Sequence, residues 1–360
     1  MEQKTLVVVV ILSLAIAVFQ SANAQQQVPA VFILGDSTAD TGTNNFLPGI
    51  KDKANFPPYG IDFPYHTPTG RFSNGLNSAD FLAKELGFKR SPLPFYILAN
   101  NTKLIRRPSF RGANFASAGS GLLNLTGQDP SGTKNVVTFE EQMEQLSLVI
   151  SEVVSNKGQA SAEAFVSKSL FFISVGSNDI FGYQTNSTLP KQEFLGALGM
   201  LYEASLRKIY KLGGRKVGIV SVPPIGCCPY ERFQNSTGGC IENLNDIARD
   251  FHSMMNALLM KLSLDYKDLK YSIGNTVDMT LNVINNPSLA GLREVANPCC
   301  GDSKTFCGPN ATYCSNRHQY LFWDAFHPTM VASKLAASTL YDGPPQFVAP
   351  INFRQLAQAS

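Results

Sequence analysis

Five short apolar segments, separated by longer segments with helical periodicity, constrain the fold of this chain more than any other feature. They are residues 30–34, 110–115, 170–175, 217–222 and 270–273. Short strands that are apolar on both faces and alternate with helices are typical of a parallel sheet covered by helices on both sides. We therefore expect a single α/β domain with a central parallel sheet.

Four of the intervening segments have the apolar spacing of amphipathic helices: residues 75–86, 137–154, 194–212 and 241–264. The first has Asn77 or Ser78 as a candidate N-cap, and Gly87 follows its end. The last has the longest apolar stripe, which we interpret as core packing and not as a binding surface.

The N-terminal residues 1–24 have the pattern of a secretory signal peptide. Lys4 precedes an apolar run over residues 6–19, and Ala22-Asn23-Ala24 is a small-x-small cleavage site. We therefore expect a secreted, extracellular protein with one domain over residues 25–360. No later segment approaches about 20 uninterrupted apolar residues, so no stable membrane anchor is expected. The net charge of +3 is spread without a basic run, which does not indicate nucleic-acid binding.

The cysteines all lie between residues 227 and 314, and a secreted chain would oxidise most of them. We expect one local disulfide between Cys227 and Cys240. Four later cysteines should form two further disulfides, whose pairing stays open. Cys228 would then be left without a disulfide partner. Those four are Cys299, Cys300, Cys307 and Cys314. Their spacing does not match the usual zinc patterns, so no metal is expected. Five N-x-S/T sequons are glycosylation candidates: Asn100, Asn124, Asn186, Asn235 and Asn310.

Three of the predicted strands run into turns rich in small polar residues: Gly-Asp-Ser at 35–37, NFASAGSG at 114–121 and VGSNDI at 175–180. Because parallel strands end at one edge of a sheet, these turns should lie close together. Ser37 offers a hydroxyl nucleophile, Gly119 a backbone N–H, and Asn178 an amide that can face an oxyanion. Each also has a plain interpretation as an ordinary turn residue, and Asp179 is equally a helix cap or turn former.

A base for Ser37 can be sought among four histidines. His66 and His318 are predicted in loops, and His252 is expected on the surface of the long helix. In FWDAFHPT, Asp324 lies three residues before His327. This spacing can place the carboxylate on Nδ1 and leave Nε2 for a serine. The chain contains no G-x-S-x-G, P-loop or H-E-x-x-H motif, and we expect no cofactor.

The sequence resembles the plant GDSL esterase/lipase family of the SGNH hydrolases. Four blocks carry the resemblance: FILGDS, NFASAG, VGSND and WDAFHPT. The resemblance to a plant family implies the apoplast or cell wall as the extracellular location. It also implies a flavodoxin-like three-layer α/β/α sandwich with Ser37 as nucleophile and Asp324 and His327 completing a triad. It also implies an oxyanion hole formed by the backbone N–H groups of Ser37 and Gly119 and the side chain of Asn178.

The chain departs from the family pattern at Thr38, where the family name expects leucine, and Cys228 is additional to the usual cysteines. We expect a serine esterase or lipase that hydrolyses carboxylic esters through an acyl-enzyme. Its partner should be a small-molecule or polymer-borne ester, and the protein is expected to be monomeric. Two alternatives stay open: an acyltransferase that uses an alcohol acceptor, and a non-catalytic binding protein on the same scaffold.

Overall fold

The fold is known from a computed structural model that describes residues 27–50, 52–128, 136–186, 188–304 and 306–360. The predicted signal peptide, residues 1–24, lies outside the described residues.

A central sheet of the described chain has the strand order β2-β1-β3-β4-β5-β8. These strands are β1 Val31–Gly35, β2 Gly112–Asn114, β3 Leu170–Ser174, β4 Lys216–Val220, β5 Lys270–Gly274 and β8 Val348–Ala349. β8 pairs antiparallel with β5 and the other pairs are parallel, which confirms the predicted parallel sheet. A separate pair consists of β6 Glu294–Pro298 and β7 Tyr320–Phe322.

The helices follow the predicted alternation with the strands. They are α1 Ser78–Glu85, α2 Phe95–Asn100, α3 Phe139–Lys157, α4 Gln159–Lys168, α5 Ser177–Asn186, α6 Lys191–Lys211, α7 Pro229–Gln234, α8 Glu242–Asp265, α9 Thr276–Asn285, α10 Met330–Asp342 and α11 Phe353–Gln358. The four predicted helices correspond to α1, α3, α6 and α8. Asn77 caps α1 and Thr138 caps α3, each in a capping box with the residue three positions later.

Alternate residues of the strands face two separate cores. In β1, Phe32 and Leu34 pack with side chains of α3, α6 and α8. Val31 and Ile33 belong to the core on the other face, with side chains of α1, α10 and α11. Because successive side chains of a strand point to opposite faces, the sheet is covered on both sides. The structure therefore confirms the three-layer α/β/α sandwich.

Three disulfides fix the segments that carry the cysteines: Cys227–Cys240, Cys299–Cys314 and Cys300–Cys307. The first bridge was predicted, and the structure resolves the pairing of the later four. Cys228 is unpaired and buried, and burial raises the pKa of its thiol to about 12. None of the helices in the described ranges combines the length and the apolar composition needed to cross a bilayer.

The predicted glycosylation sites differ in their surroundings. Asn100, Asn124 and Asn310 are exposed. Asn235 is half-buried, and its amide donates hydrogen bonds to the carbonyl oxygens of Gly239 and Cys240. The side chain of Asn186 lies outside the described residues.

Candidate active site

Ser37 follows strand β1 by two residues and lies at the carboxyl edge of the sheet. Gly35 ends β1 with φ +149°, and a Cβ there would lie 2.1 Å from the carbonyl oxygen of Ser174 in β3. Only glycine allows this close approach. The N–H of Asp36 donates to the Ser174 carbonyl, and the Asp36 carbonyl accepts from the N–H groups of Ala39 and Asp40. The chain therefore turns immediately after β1 and leaves Ser37 half-buried in the turn.

His327 links Ser37 to Asp324. Its Nε2 lies 2.8 Å from Oγ of Ser37, and its Nδ1 lies 2.9 Å from both carboxylate oxygens of Asp324. Asp324 is buried, and its Oδ1 accepts from the backbone N–H groups of Phe326 and His327. The hydroxyl of Tyr59 donates to Oδ2 at 2.9 Å. The three-residue spacing thus brings the carboxylate to Nδ1 and Nε2 to the serine, which is the geometry of a serine nucleophile with its base.

Electrostatics within this group favour a proton on His327. Burial lowers the pKa of His327, but the charge of Asp324 and the hydrogen bond to it outweigh burial and raise the pKa above its ordinary value. Burial raises the pKa of Asp324, but the interactions with His327 and the backbone donors outweigh it and lower the pKa. The ion pair that forms when His327 takes a proton is therefore stabilised in place.

Gly119 and Asn178 lie in the turns that follow the two strands flanking β1. Asn178 is in the first turn of α5, directly after β3, and one N–H of its amide donates to the carbonyl of Ser120 at 2.9 Å. Its second N–H is not used in that bond. Gly119 has φ +85°, and a Cβ there would come within 2.8 Å of Val136. The strand order β2-β1-β3 therefore brings the turns of all three predicted site residues to one edge of the sheet.

Gln142 of α3 is a supporting residue that the sequence did not indicate. It is fully buried, its Oε1 accepts from the N–H of Gly35, and its Nε2 donates to the carbonyl of Gly35. The same Nε2 contacts Oγ of Ser120 at 3.1 Å. Gln142 thereby joins the end of β1 to the turn that contains Gly119. In sequence it is only a polar position within a helix, so no local pattern marks it.

Two buried carboxylates hold the same turn. Asp40 accepts hydrogen bonds from the backbone N–H of Ala118 and from two N–H groups of its own loop. Asp179 accepts from the N–H groups of Leu122 and Leu123 and from the hydroxyl of Thr126. The sequence predicts Asp179 as a helix cap or turn former. In the structure its carboxylate mainly binds the loop over residues 122–126, which is distant in sequence.

The remaining histidines lie apart from this group. His66 and His318 are exposed, but each lies in a short 3-10 helix and not in the predicted loop. The prediction that His252 lies on the surface is wrong, because it is half-buried beside Phe251 on α8. Burial lowers its pKa, and its Nδ1 has no hydrogen-bond partner among the described residues.

One group of metal-type ligands lies close together in the described residues: Cys227, Cys240 and Glu242. Both sulfurs are joined in a disulfide. A metal would bind thiolates, so this group offers only the Glu242 carboxylate.

Comparison with known proteins agrees with this architecture. Residues 31–340 match the family described as GDSL-like Lipase/Acylhydrolase. A GDSL esterase/lipase of Arabidopsis thaliana is 34% identical over 97% of this chain and 95% of its own length. Another from the same plant is 36% identical over 92% of this chain and 86% of its own length.

A solved structure of a GDSL-like lipase from Parabacteroides merdae aligns over 88% of this chain and 95% of its own, with a TM-score of 0.38 and 12% identity. A structural similarity at this TM-score does not support a family assignment. The family is shown by the sequence match over residues 31–340 and by the plant relatives. This chain belongs to the GDSL-like lipase/acylhydrolase family.

Proposed function

We propose that the protein is a secreted serine esterase or lipase that hydrolyses carboxylic esters through an acyl-enzyme on Ser37. The observation that carries the proposal is the continuous contact from Asp324 through His327 to Ser37, with 2.8 Å between Nε2 and Oγ. Family membership supports an esterase or lipase hydrolase in general. The residue roles and the acyl-enzyme are inferred from this geometry.

In the first half-reaction, Nε2 of His327 takes the proton of Ser37 Oγ while Oγ attacks the ester carbonyl carbon. The charge that develops on the carbonyl oxygen is met by the N–H groups of Ser37 and Gly119 and by the Asn178 amide. Asp324 stabilises the imidazolium. The imidazolium then gives its proton to the leaving alcohol, and the acyl group remains on Ser37.

In the second half-reaction, water takes the place of the alcohol. His327 removes a proton from the water, whose oxygen attacks the acyl carbon. The proton returns to Ser37 as the carboxylic acid leaves, so the enzyme is restored.

Extracellular location is the second part of the proposal. Three disulfides among the described cysteines are typical of a secreted protein, since the cytosol keeps thiols reduced. The signal-peptide pattern and the exposed sequons at Asn100, Asn124 and Asn310 support the same location. Glycan occupancy at these three sites is expected to follow secretion.

Hydrolysis of p-nitrophenyl esters of increasing acyl length by wild type and Ser37→Ala tests the mechanism. We expect Ser37→Ala to lower kcat/KM by about 10⁴-fold or more. Ser253→Ala, at an exposed position of α8, is the matched control and should retain activity. Equal turnover by wild type and Ser37→Ala would show that Ser37 is not the nucleophile.

Labelling with a fluorophosphonate separates the alternatives if wild type hydrolyses none of these esters. A folded protein whose Ser37 is labelled has a reactive nucleophile, and transfer to added alcohols would then identify an acyltransferase. A folded protein that is not labelled would be a non-catalytic member of the family.

A further inference from the structure

Four aromatic side chains form a continuous group beside His327, and we call them the aromatic cluster: Phe181, Tyr230, Phe306 and Phe326. The Phe326 ring lies at the centre. Its centroid is 5.7 Å from Phe181, 5.0 Å from Tyr230 and 5.8 Å from Phe306. It also lies 6.3 Å from the imidazole of His327, edge to face. The cluster therefore begins at the base of the proposed mechanism.

The cluster also reaches the helix that carries Asn178. Phe181 is three residues after Asn178 on α5, and residues with this spacing lie on the same face of a helix. An ester carbonyl between Ser37 and Asn178 would thus have Phe181 one helical turn away and Phe326 beside the base. The aromatic cluster therefore offers apolar surface to a substituent of the ester on one side of the base.

Part of the aromatic cluster is exposed to solvent in the folded protein. Phe306 is 59% exposed, and the other three residues are half-buried. Phe306 directly precedes Cys307, which is bonded to Cys300, and the N–H of Tyr230 donates to the carbonyl of Ala325. The rings are therefore held on anchored backbone while apolar area remains available to a ligand. Covering such area removes it from water and favours binding.

Ring orientation favours a flat ligand group. Phe306 is within 19° of parallel to Phe326 and within 25° of parallel to Tyr230. Aromatic rings attract further rings in offset-stacked or edge-to-face contact, and this adds about 2- to 10-fold in affinity beyond the area that is buried. A linear alkyl chain of similar area lacks that contribution.

We propose that the aromatic cluster is a subsite that binds the ring of an aryl-bearing ester while Ser37 engages its carbonyl group. This inference rests on the proposed function and names the substrate class of the same site. The ring can belong to the acyl group or to the alcohol, since both substituents start from the carbonyl carbon beside Ser37.

Matched esters test the subsite. Ethyl 3-phenylpropanoate is compared with ethyl hexanoate for the acyl side, and benzyl acetate with hexyl acetate for the alcohol side. In at least one pair, wild type should prefer the aryl ester, and Phe306→Ala should lower the aryl-to-alkyl ratio of kcat/KM by about tenfold. Phe306→Leu, which keeps apolar area without a ring, should also lower it.

Leu264→Ala is the matched control. Leu264 is 62% exposed near the end of α8, which leads back to the start of β5 and so lies at the opposite edge of the sheet. The ratio should not change in this variant. A ratio that Phe306→Ala leaves unchanged in both pairs, or that Phe306→Leu fully maintains, would overturn the aromatic subsite.

Binding to Ser37→Ala separates this inference from the proposed function. N-benzylacetamide and N-hexylacetamide are titrated into Ser37→Ala and into the double variant with Phe306→Ala. Tighter binding of the benzyl compound that is lost in the double variant supports the subsite even if no ester is hydrolysed. Equal binding of the two compounds by Ser37→Ala, together with an aryl-to-alkyl ratio of kcat/KM that Phe306→Ala leaves unchanged in both ester pairs, rejects it.

Discussion

Thr38 links the turn that carries Ser37 to the neighbouring strand β3. Its hydroxyl donates to Oδ1 of Asp36 at 2.7 Å, and its N–H donates to the same oxygen. Because a hydroxyl has a single proton, the 2.8 Å contact between Thr38 Oγ1 and Ser174 Oγ is a hydrogen bond that Ser174 donates. A leucine, which the family name expects here, could make neither side-chain bond. In the sequence this position is only a departure from the family pattern, and its contacts with Asp36 and Ser174 are visible only in the structure.

Thr38 also stabilises the charged form of Asp36 against the effect of burial. Burial raises the pKa of Asp36 to about 6, and the two donors of Thr38 and the charge of His327 lower it, while Asp179 raises it. The charge of Asp36 in turn raises the pKa of His327. Loss of the Thr38 hydroxyl should therefore keep Asp36 protonated to higher pH and weaken its support of the imidazolium.

We expect Thr38→Val to move the acidic limb of the kcat/KM profile to lower pH, since that limb reports the pKa of the base in the free enzyme. The profile of ester hydrolysis between about pH 5 and pH 8 measures this shift. Thr38→Ser retains the hydroxyl and should leave the limb in place. A limb that moves to higher pH, or moves equally in both variants, would contradict this role.

Helix α3 determines the geometry at the end of β1 through Gln142. Replacing Gln142 by leucine would leave the N–H of Gly35 without its partner, and a buried unpaired donor or acceptor costs about 1–3 kcal/mol. We expect Gln142→Leu to lower the free energy of unfolding by about 2–4 kcal/mol and to lower kcat/KM as the Gly119 turn shifts. Urea unfolding and ester hydrolysis measure the two effects.

Gln145 is the matched control on the same helix. It is also buried, but its Oε1 has no hydrogen-bond partner within the described part of the chain. Gln145→Leu removes that unpaired oxygen and should be neutral or stabilising. Equal destabilisation by the two substitutions would show that the loss comes from packing and not from the bonds to Gly35.

Local patterns in the sequence predicted the elements but not the contacts between them. The Asp324–His327 pair could be predicted because its spacing lies within one turn. The bonds of Gln142 to Gly35 and of Tyr59 to Asp324 join residues 107 and 265 positions apart, and no short pattern encodes such contacts. Strand β8 was missed because its two residues show no periodicity. The apolar run over residues 110–115 is longer than strand β2, because only three residues of this run pair with β1.

Across the whole molecule, buried acidic groups near the site make stability depend on pH. Burial raises the pKa of Asp36 and that of Asp40 to about 6, above the ordinary value of 3.8. Between these values the folded protein binds more protons than the unfolded chain, so the free energy of unfolding falls as pH rises. His327, with its raised pKa, acts in the same direction. Asp324 and Asp62 have lowered pKa values, so the stability that their charged forms contribute is lost only in more acidic solution.

We therefore expect the protein to be more stable near about pH 5 than near about pH 8, by about 2 kcal/mol in the free energy of unfolding. Urea unfolding at the two pH values and equal ionic strength measures the difference. Asp40→Asn cannot titrate and should reduce the pH dependence, even if it lowers stability at every pH by disturbing the bond to Ala118. Asp246→Asn, which changes an exposed carboxylate paired with Arg249, should leave the dependence unchanged. Stability that rises from about pH 5 to about pH 8 would mean that the buried carboxylates at the site are ionised throughout, with ordinary or lowered pKa values.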